Sequence, residues 1–258
     1  MNRTLANPWI PYSKPNNHAN FRLFCFPYAG AGASIFCPWT AQLAPDIEVC
    51  PVQLPGRENR LSEPPFTDIS SLIKALSTNL LPYCDRPFAL FGHSVGALVA
   101  FELARYLRRH DYPQPIYLFV SGREAPHLGV SSSPIHQLPE PEFIAELCRY
   151  NGMPDTLLQS SELMELFLPI LRADLAINEI YDYSSETPFD YPISAFGGLD
   201  DAEATQESLE GWSQETLQEF TLMMVPGDHF FIKSQPFSIL SSIQQKLTGR
   251  IKATPGRG

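Results

Sequence analysis

Gly92-His93-Ser94-Val95-Gly96 lies between Arg86-Pro87-Phe88-Ala89-Leu90-Phe91 and Ala97-Leu98-Val99-Ala100-Phe101-Glu102-Leu103-Ala104-Arg105. The first flank is a short apolar run and the second has helical amphipathic spacing, so the pentapeptide is the turn of a strand–turn–helix unit. A turn this tight forces its central residue into a strained conformation with the side chain projecting above the sheet. The glycines at 92 and 96 let strand and helix approach closely enough for the turn to exist. A serine held there is placed to attack a carbonyl, and amides at the start of the following helix can receive the oxyanion. Without its flanks the same pentapeptide would read as a glycine-rich turn with no chemistry. The strand and helix patterns on the correct sides decide between the two.

Upstream, Phe21-Arg22-Leu23-Phe24-Cys25-Phe26 reads as a buried strand stopped by Pro27, followed by the small-residue loop Tyr28-Ala29-Gly30-Ala31-Gly32-Ala33 and a helix to Leu43. Ile47 to Val52 is the next strand, and Ile69 to Leu81 has apolar residues at helical spacing with Pro82 beyond it. Downstream of the elbow a helix runs to about Arg109, and Ile116 to Val120 is another strand. Strands alternating with helices predict an α/β fold, with a mostly parallel central sheet covered on both faces.

From about Gly129 to Tyr183 the rhythm changes. No buried strand is visible, and two helical segments appear, Glu142 to Tyr150 and a second opened by Ser160-Ser161-Glu162-Leu163. Ordinary crossover connections are much shorter. The expectation is one domain over residues 1–258 with a helical lid insertion at about 129–185. The sheet pattern resumes at Tyr191 to Phe196, then Gly197-Gly198-Leu199-Asp200-Asp201. Phe220 to Val225 is the last strand, a closing helix covers about Gln235 to Leu247, and Gly249 to Gly258 reads as a frayed basic tail.

Composition narrows the function classes. Over 258 residues, 44% are apolar and 18% charged, enough for a core and too little charge for disorder. The net charge of −10 argues against a nucleic-acid or anionic-membrane surface. The five cysteines are scattered, without a Cys-x-x-Cys pair, so no zinc ribbon or thioredoxin-like site is indicated. Neither a signal peptide nor a membrane-length apolar run is present, and the expected location is the cytoplasm. No metal-ligand spacing is visible and no cofactor is required.

A serine hydroxyl needs an imidazole to take its proton, and the imidazole needs a carboxylate to fix its tautomer. The chain supplies Ser94, then Asp200-Asp201 after one strand, then His229 after the next. That is the Ser, acid, His order of α/β-hydrolases, at the strand ends where open parallel sheets place their sites. Asp200 and Asp201 cannot both serve, and the other would be a loop acid bonding its own backbone. Asp228, beside the histidine, is a poor candidate, because the acid of this fold follows an earlier strand. The oxyanion donors are expected to be backbone amides, that of Val95 and one from the Pro27 to Gly32 loop, with Ala29 favoured and Tyr28 the alternative. His93 is expected to pack beside the turn.

Phe24-Cys25-Phe26-Pro27-Tyr28-Ala29-Gly30, Gln53-Leu54-Pro55-Gly56-Arg57-Glu58, the elbow and Gly227-Asp228-His229-Phe230-Phe231 together resemble the type II thioesterases of nonribosomal peptide and polyketide synthesis. Ser121 to Pro126 and Leu168 to Asp174 add to the likeness, which spans nearly the whole chain. The resemblance implies hydrolysis of acyl or aminoacyl groups from the phosphopantetheine arm of carrier proteins, usually to clear a stalled assembly line. It implies the α/β-hydrolase fold and an acyl carrier or peptidyl carrier domain as partner. The family's Gly-Gly-x-x-Asp-Pro acid loop, laid on Gly197 to Asp201, favours Asp201 as the third catalytic residue, although Ala202 stands where proline is frequent. By this reading Phe143, Leu147, Met153, Leu163 and Phe167 of the insertion form the lid core or line the acyl chamber. Two other readings use the same three residues, namely a carboxylesterase on small free esters and a product-releasing thioesterase or acyltransferase. A non-catalytic scaffold is disfavoured by the intact Ser, Asp and His.

Overall fold

The computed structural model describes residues 7–43, 45–129, 134–149 and 159–253. Six strands form one parallel sheet: β1 (Phe21–Phe26), β2 (Ile47–Pro51), β3 (Phe88–His93), β4 (Tyr117–Ser121), β5 (Ile193–Gly198) and β6 (Phe220–Val225). Their spatial order is β2-β1-β3-β4-β5-β6. The chain first builds outward from β1 to β2 and then returns to the other side of β1 for β3. Between β1 and β3 the direction of winding reverses, and the loops leaving their C-terminal ends diverge and open a crevice.

Every residue of β1, β2, β3, β4 and β5 is buried, as expected of parallel strands covered on both faces. On one face α2 (Ile69–Leu80) and α3 (Val95–Arg109) pack Leu72, Ile73, Leu76, Leu98, Phe101 and Leu103 against Phe24, Leu90 and Leu118. Asp68 starts α2 by accepting the Ser71 amide at 2.8 Å, the usual work of an aspartate N-cap. On the opposite face α1 (Cys37–Leu43) and the closing helix, Pro236–Ala253, bury Trp39, Leu43, Ile239, Ile243 and Leu247 against Leu23, Phe91 and Phe119.

Two helices occupy the described part of the 129–185 segment, α4 (Glu140–Arg149) and α5 (Ser161–Glu179). They enclose a small core of their own, made of Ile135, Phe143, Leu147, Met164, Leu168 and Leu171. Met153 lies outside the described residues. After β5 come α6 (Gln206–Glu210) and, beyond β6, α7 (Phe231–Ser234) and α8 (Pro236–Ala253).

Several boundaries differ by one to a few residues from the sequence expectation, most clearly in β5, β3 and α8. β5 begins at Ile193 rather than Tyr191, since Pro192 has no amide to give the ladder, and it continues through Gly197 and Gly198, which pair with Met224 and Val225. β3 continues past Phe91 to His93, paired with Ser121. α8 runs on to Ala253, through the start of the stretch read as a frayed tail.

Candidate active site

Ser94 follows β3 directly and carries φ 55° and ψ −123°, a conformation a serine adopts only when its surroundings impose it. Those surroundings are backbone. A Cβ at Gly96 would overlap the Phe26 carbonyl and lie 2.6 Å from that of Pro27. One at Gly92 would lie 2.5 Å from the Ala97 nitrogen. The two glycines therefore let α3 close on the ends of both β1 and β3. The Ser94 amide donates to the Ser121 carbonyl at 2.8 Å, which pins the elbow to β4. Val95 is the first residue of α3, so its amide belongs to the helix N-terminus, where positive dipole ends and unpaired donors gather.

His229 stands in the turn after β6, and its Nδ1 is 2.9 Å from Asp201 Oδ2 in the turn after β5. Because an ionised carboxylate only accepts, Nδ1 carries the hydrogen and the Nε2 lone pair is left exposed as a base. The Asp201 side chain is wholly buried, and its Oδ1 takes the amides of Glu203 at 2.9 Å and Ala204 at 3.3 Å. Asp200 is exposed and makes no such contact with the ring. Neither the Ser94 hydroxyl nor His229 Nε2 has a hydrogen-bond partner among the described residues. A serine–histidine bond of this kind is often long without substrate and tightens when substrate arrives.

His93 has the opposite tautomer. Its Nε2 lies 2.9 Å from the backbone carbonyl of His229 and must donate to it, so Nδ1 accepts from the Ser121 hydroxyl at 2.8 Å. Complete burial, reinforced by the neighbouring His229 and Lys233, holds its pKa well below that of an ordinary histidine. His93 thus packs beside the turn as expected, and it also ties the His229 loop to the ends of β3 and β4. Glu203, exposed at its surface and next to the Asp201–His229 pair, is pushed above the usual carboxyl range by partial desolvation, with His229 opposing and Asp201 adding to it.

The Pro27 to Gly32 loop forms a β-turn closed by the Ala31 amide on the Tyr28 carbonyl at 3.0 Å. Gly30 gives its amide to Asp174 Oδ2 at 2.8 Å. The Ala29 amide has no partner among the described residues, which leaves it available as a donor. Of the apolar residues expected in the insertion, Phe143 and Leu147 are buried in its own core. Phe167 is half-buried against that core and Leu163 is 40% exposed. Arg57 and Asp174 stand in two of the quoted segments without a role in the sequence reading, and the structure joins them in a buried ion pair.

No group of three or more His, Cys, Asp or Glu residues that could hold a metal ion occurs among the described residues. No helix among them is long and apolar enough to cross a membrane.

Comparison with known proteins shows a family and a fold. The model of the thioesterase domain family matches residues 21–247. Gramicidin S biosynthesis protein GrsT of Aneurinibacillus migulanus is 43% identical over 242 residues, 94% of each chain. Among solved structures, the RedJ thioesterase from the prodiginine pathway of Streptomyces coelicolor superposes with a TM-score of 0.83 at 37% identity, covering 90% of this chain and 87% of that one. YbtT, a type II thioesterase of the yersiniabactin NRPS/PKS pathway, gives a TM-score of 0.77 at 34% identity, covering 89% of this chain and 93% of its own.

Proposed function

The chain belongs to the thioesterase domain family and has the α/β-hydrolase fold, and from that premise we propose that it clears acyl or aminoacyl groups from the phosphopantetheine arm of carrier proteins, with Ser94, Asp201 and His229 as its catalytic residues. As a member of that family it is a thioester hydrolase. The observation that carries the mechanistic reading is the Asp201–His229 pair at 2.9 Å beside a serine held at φ 55°.

In the first half-reaction His229 Nε2 takes the Ser94 proton as Oγ attacks the thioester carbonyl. The negative charge that develops on the carbonyl oxygen falls to the amides of Val95 and Ala29. Collapse breaks the carbon–sulfur bond, and the thiolate takes the proton from His229, leaving an acyl-Ser94 ester. In the second half-reaction His229 activates a water, the ester carbon accepts hydroxide, and Ser94 regains its proton as the acid departs. Asp201, fixed by two backbone amides, stabilises the imidazolium formed in each half. A thiol leaves easily, so the step asks little of the general acid.

In this reading α4 and α5 form the lid, the carrier domain is the partner, and the cytoplasm is the location. All five cysteines are free, which fits a reducing compartment. The experiment is intact-protein mass spectrometry of an acyl-loaded carrier incubated with the protein or with Ser94→Ala. Loss of the acyl mass with wild type alone, leaving the free arm, is the expected result. A carrier unchanged across short, long and aminoacyl loads would overturn the proposal.

A further inference from the structure

We propose that Arg57 and Asp174 are positioning residues for the oxyanion hole, a buried clamp through which α5 sets the direction of the Ala29 amide. The inference rests on the reading of Ser94 as nucleophile and Ala29 as oxyanion donor.

Arg57 comes from the turn after β2 and Asp174 from the middle of α5, 117 positions later. Their contact is a bidentate fork, with Arg57 Nη1 to Asp174 Oδ2 at 2.7 Å and Nη2 to Oδ1 at 2.8 Å. Neither side chain is more than 4% exposed. A buried pair of this kind is a poor stabiliser, since desolvation consumes most of what the Coulomb attraction returns. What it does well is to define one geometry, and here the geometry it defines is that of a loop.

The same carboxylate oxygen, Asp174 Oδ2, accepts the Gly30 amide at 2.8 Å, and Arg57 Nη1 also donates to the Ala31 carbonyl at 3.2 Å. Tyr28 to Ala31 is the turn closed by the Ala31 amide, and Gly30 at its third position has φ 76°, the value a type II turn requires. The central peptide of such a turn can flip. Asp174 fixes it by holding the Gly30 amide. With the Tyr28 carbonyl drawn into the turn, the Ala29 amide of that same planar trans peptide must point outward. The clamp thus holds Gly30 and Ala31, the two residues that follow the donor, keeps the turn that the Tyr28 carbonyl closes, and leaves the donor itself free.

α5 adds an apolar contact to the ionic one. Leu171, one turn before Asp174, lies so close that a Cβ at Gly30 would be 2.7 Å from its Cδ2. Ala29 packs against the small core that Leu171 shares with Phe143 and Leu168. Gln53, fully buried, extends the bracing by accepting the Ala33 amide at 2.8 Å and donating to the Arg57 carbonyl at 3.1 Å. Displacement of α5 would therefore release the turn, so an assembled oxyanion hole requires a seated α5.

The test uses the full chain with p-nitrophenyl acetate and the N-acetylcysteamine thioester of acetate. Two further ligands complete it: a trifluoromethyl ketone that adds the serine to form an oxyanion, and the matching secondary alcohol, which cannot. Asp174→Asn removes the charge at nearly constant shape, and Arg57→Lys keeps the charge and loses the fork. Each should lower kcat about 10- to 100-fold, a part of the effect of deleting an oxyanion donor outright. KM and alcohol affinity should stay within about twofold, because the loss falls on the transition state alone, and ketone affinity should fall in step with kcat/KM. Arg105→Lys, in the Glu102–Arg105–Glu186 cluster that touches none of these groups, is the control for lost stability. Its Tm should fall with kcat unchanged.

Wild-type kcat in both clamp variants, or equal weakening of ketone and alcohol, would overturn the proposal. Should neither variant fold, hydrogen exchange in the native wild type decides: a slowly exchanging Gly30 amide supports the clamp, and exchange at the rate of open loop amides overturns it. Ser94→Ala run alongside keeps the two readings apart. An inactive Ser94→Ala beside a fully active Asp174→Asn defeats the clamp alone, whereas turnover surviving in Ser94→Ala defeats the nucleophile assignment and the clamp with it.

Discussion

His93 and His229 stand with ring centroids 5.2 Å apart and have divided the chemistry of one residue type between them. His229 leans on a carboxylate and keeps a free lone pair. His93 spends one nitrogen on a carbonyl and the other on a hydroxyl, in a place where a charge would be desolvated. Its depressed pKa is a statement about stability. Below about pH 6.5 the unfolded chain takes up a proton at this position that the folded one refuses, so the wild type loses stability as pH falls. His93→Gln should show a shallower acid limb. The difference in unfolding free energy between wild type and His93→Gln should shift against wild type by up to about 1.4 kcal/mol per pH unit between pH 6 and 5. Urea titrations at each pH measure it, and parallel curves would show that His93 protonates in the native state. At this scale Ser94, Asp201 and His229, the residues proposed as catalytic, were legible as candidates because each sits at a strand end in a known order. The clamp was not, since pairing residues 117 positions apart needs the fold. One local signal existed: Asp174 interrupts the buried stripe Ile170, Leu171, Ile177 of α5, where a carboxylate demands a partner.

The elbow shows how an element boundary becomes a functional device. β3 and α3 meet across the single residue Ser94, and the only way to turn the chain in that space is to strip the side chains from 92 and 96. Gly96→Ala places a methyl against the carbonyls of Phe26 and Pro27, which are backbone and cannot rotate away. The expected cost is about 3 kcal/mol, the upper end for an overpacked site. Activity should fall further than stability predicts, since α3 is pushed off the loop that carries Ala29. Chemical denaturation together with kcat on an activated ester checks both, and a variant as stable and active as wild type would refute the close-approach argument. Strands and helices were readable from period and from prolines, because β3 and β4 open as continuous apolar runs and β1 is interrupted only by Arg22. Their ends were less so. β5 starts late because Pro192 lacks a donor, and it runs on through Gly197-Gly198 because those residues pair with β6, a tertiary fact with no local pattern.

Over the whole molecule, the reversal of winding between β1 and β3 opens a crevice at the C-terminal ends of those strands, and the two amides proposed as oxyanion donors, Ala29 and Val95, stand in the segments that follow them, 66 positions apart in sequence. The remaining loops of the site leave the same end of the sheet, and α5, which follows β4 in sequence, is tied to the loop after β1 through Asp174. The charge of the molecule acts at longer range. Under the proposed function, a chain at −10 would repel an acidic carrier domain before any contact forms, so docking would depend on short-range complementarity. Salt then acts in the reverse of the usual direction. Raising ionic strength from 0.01 to 0.15 M shortens the screening length from about 30 to about 8 Å, which removes the repulsion and leaves close contacts largely intact. With an acyl-loaded acidic carrier, kcat/KM should rise a few-fold over that range, carried by KM. With the uncharged N-acetylcysteamine thioester it should stay flat, which isolates docking from chemistry. A fall with salt on the carrier alone would mean that a local basic patch outweighs the net charge and steers the encounter.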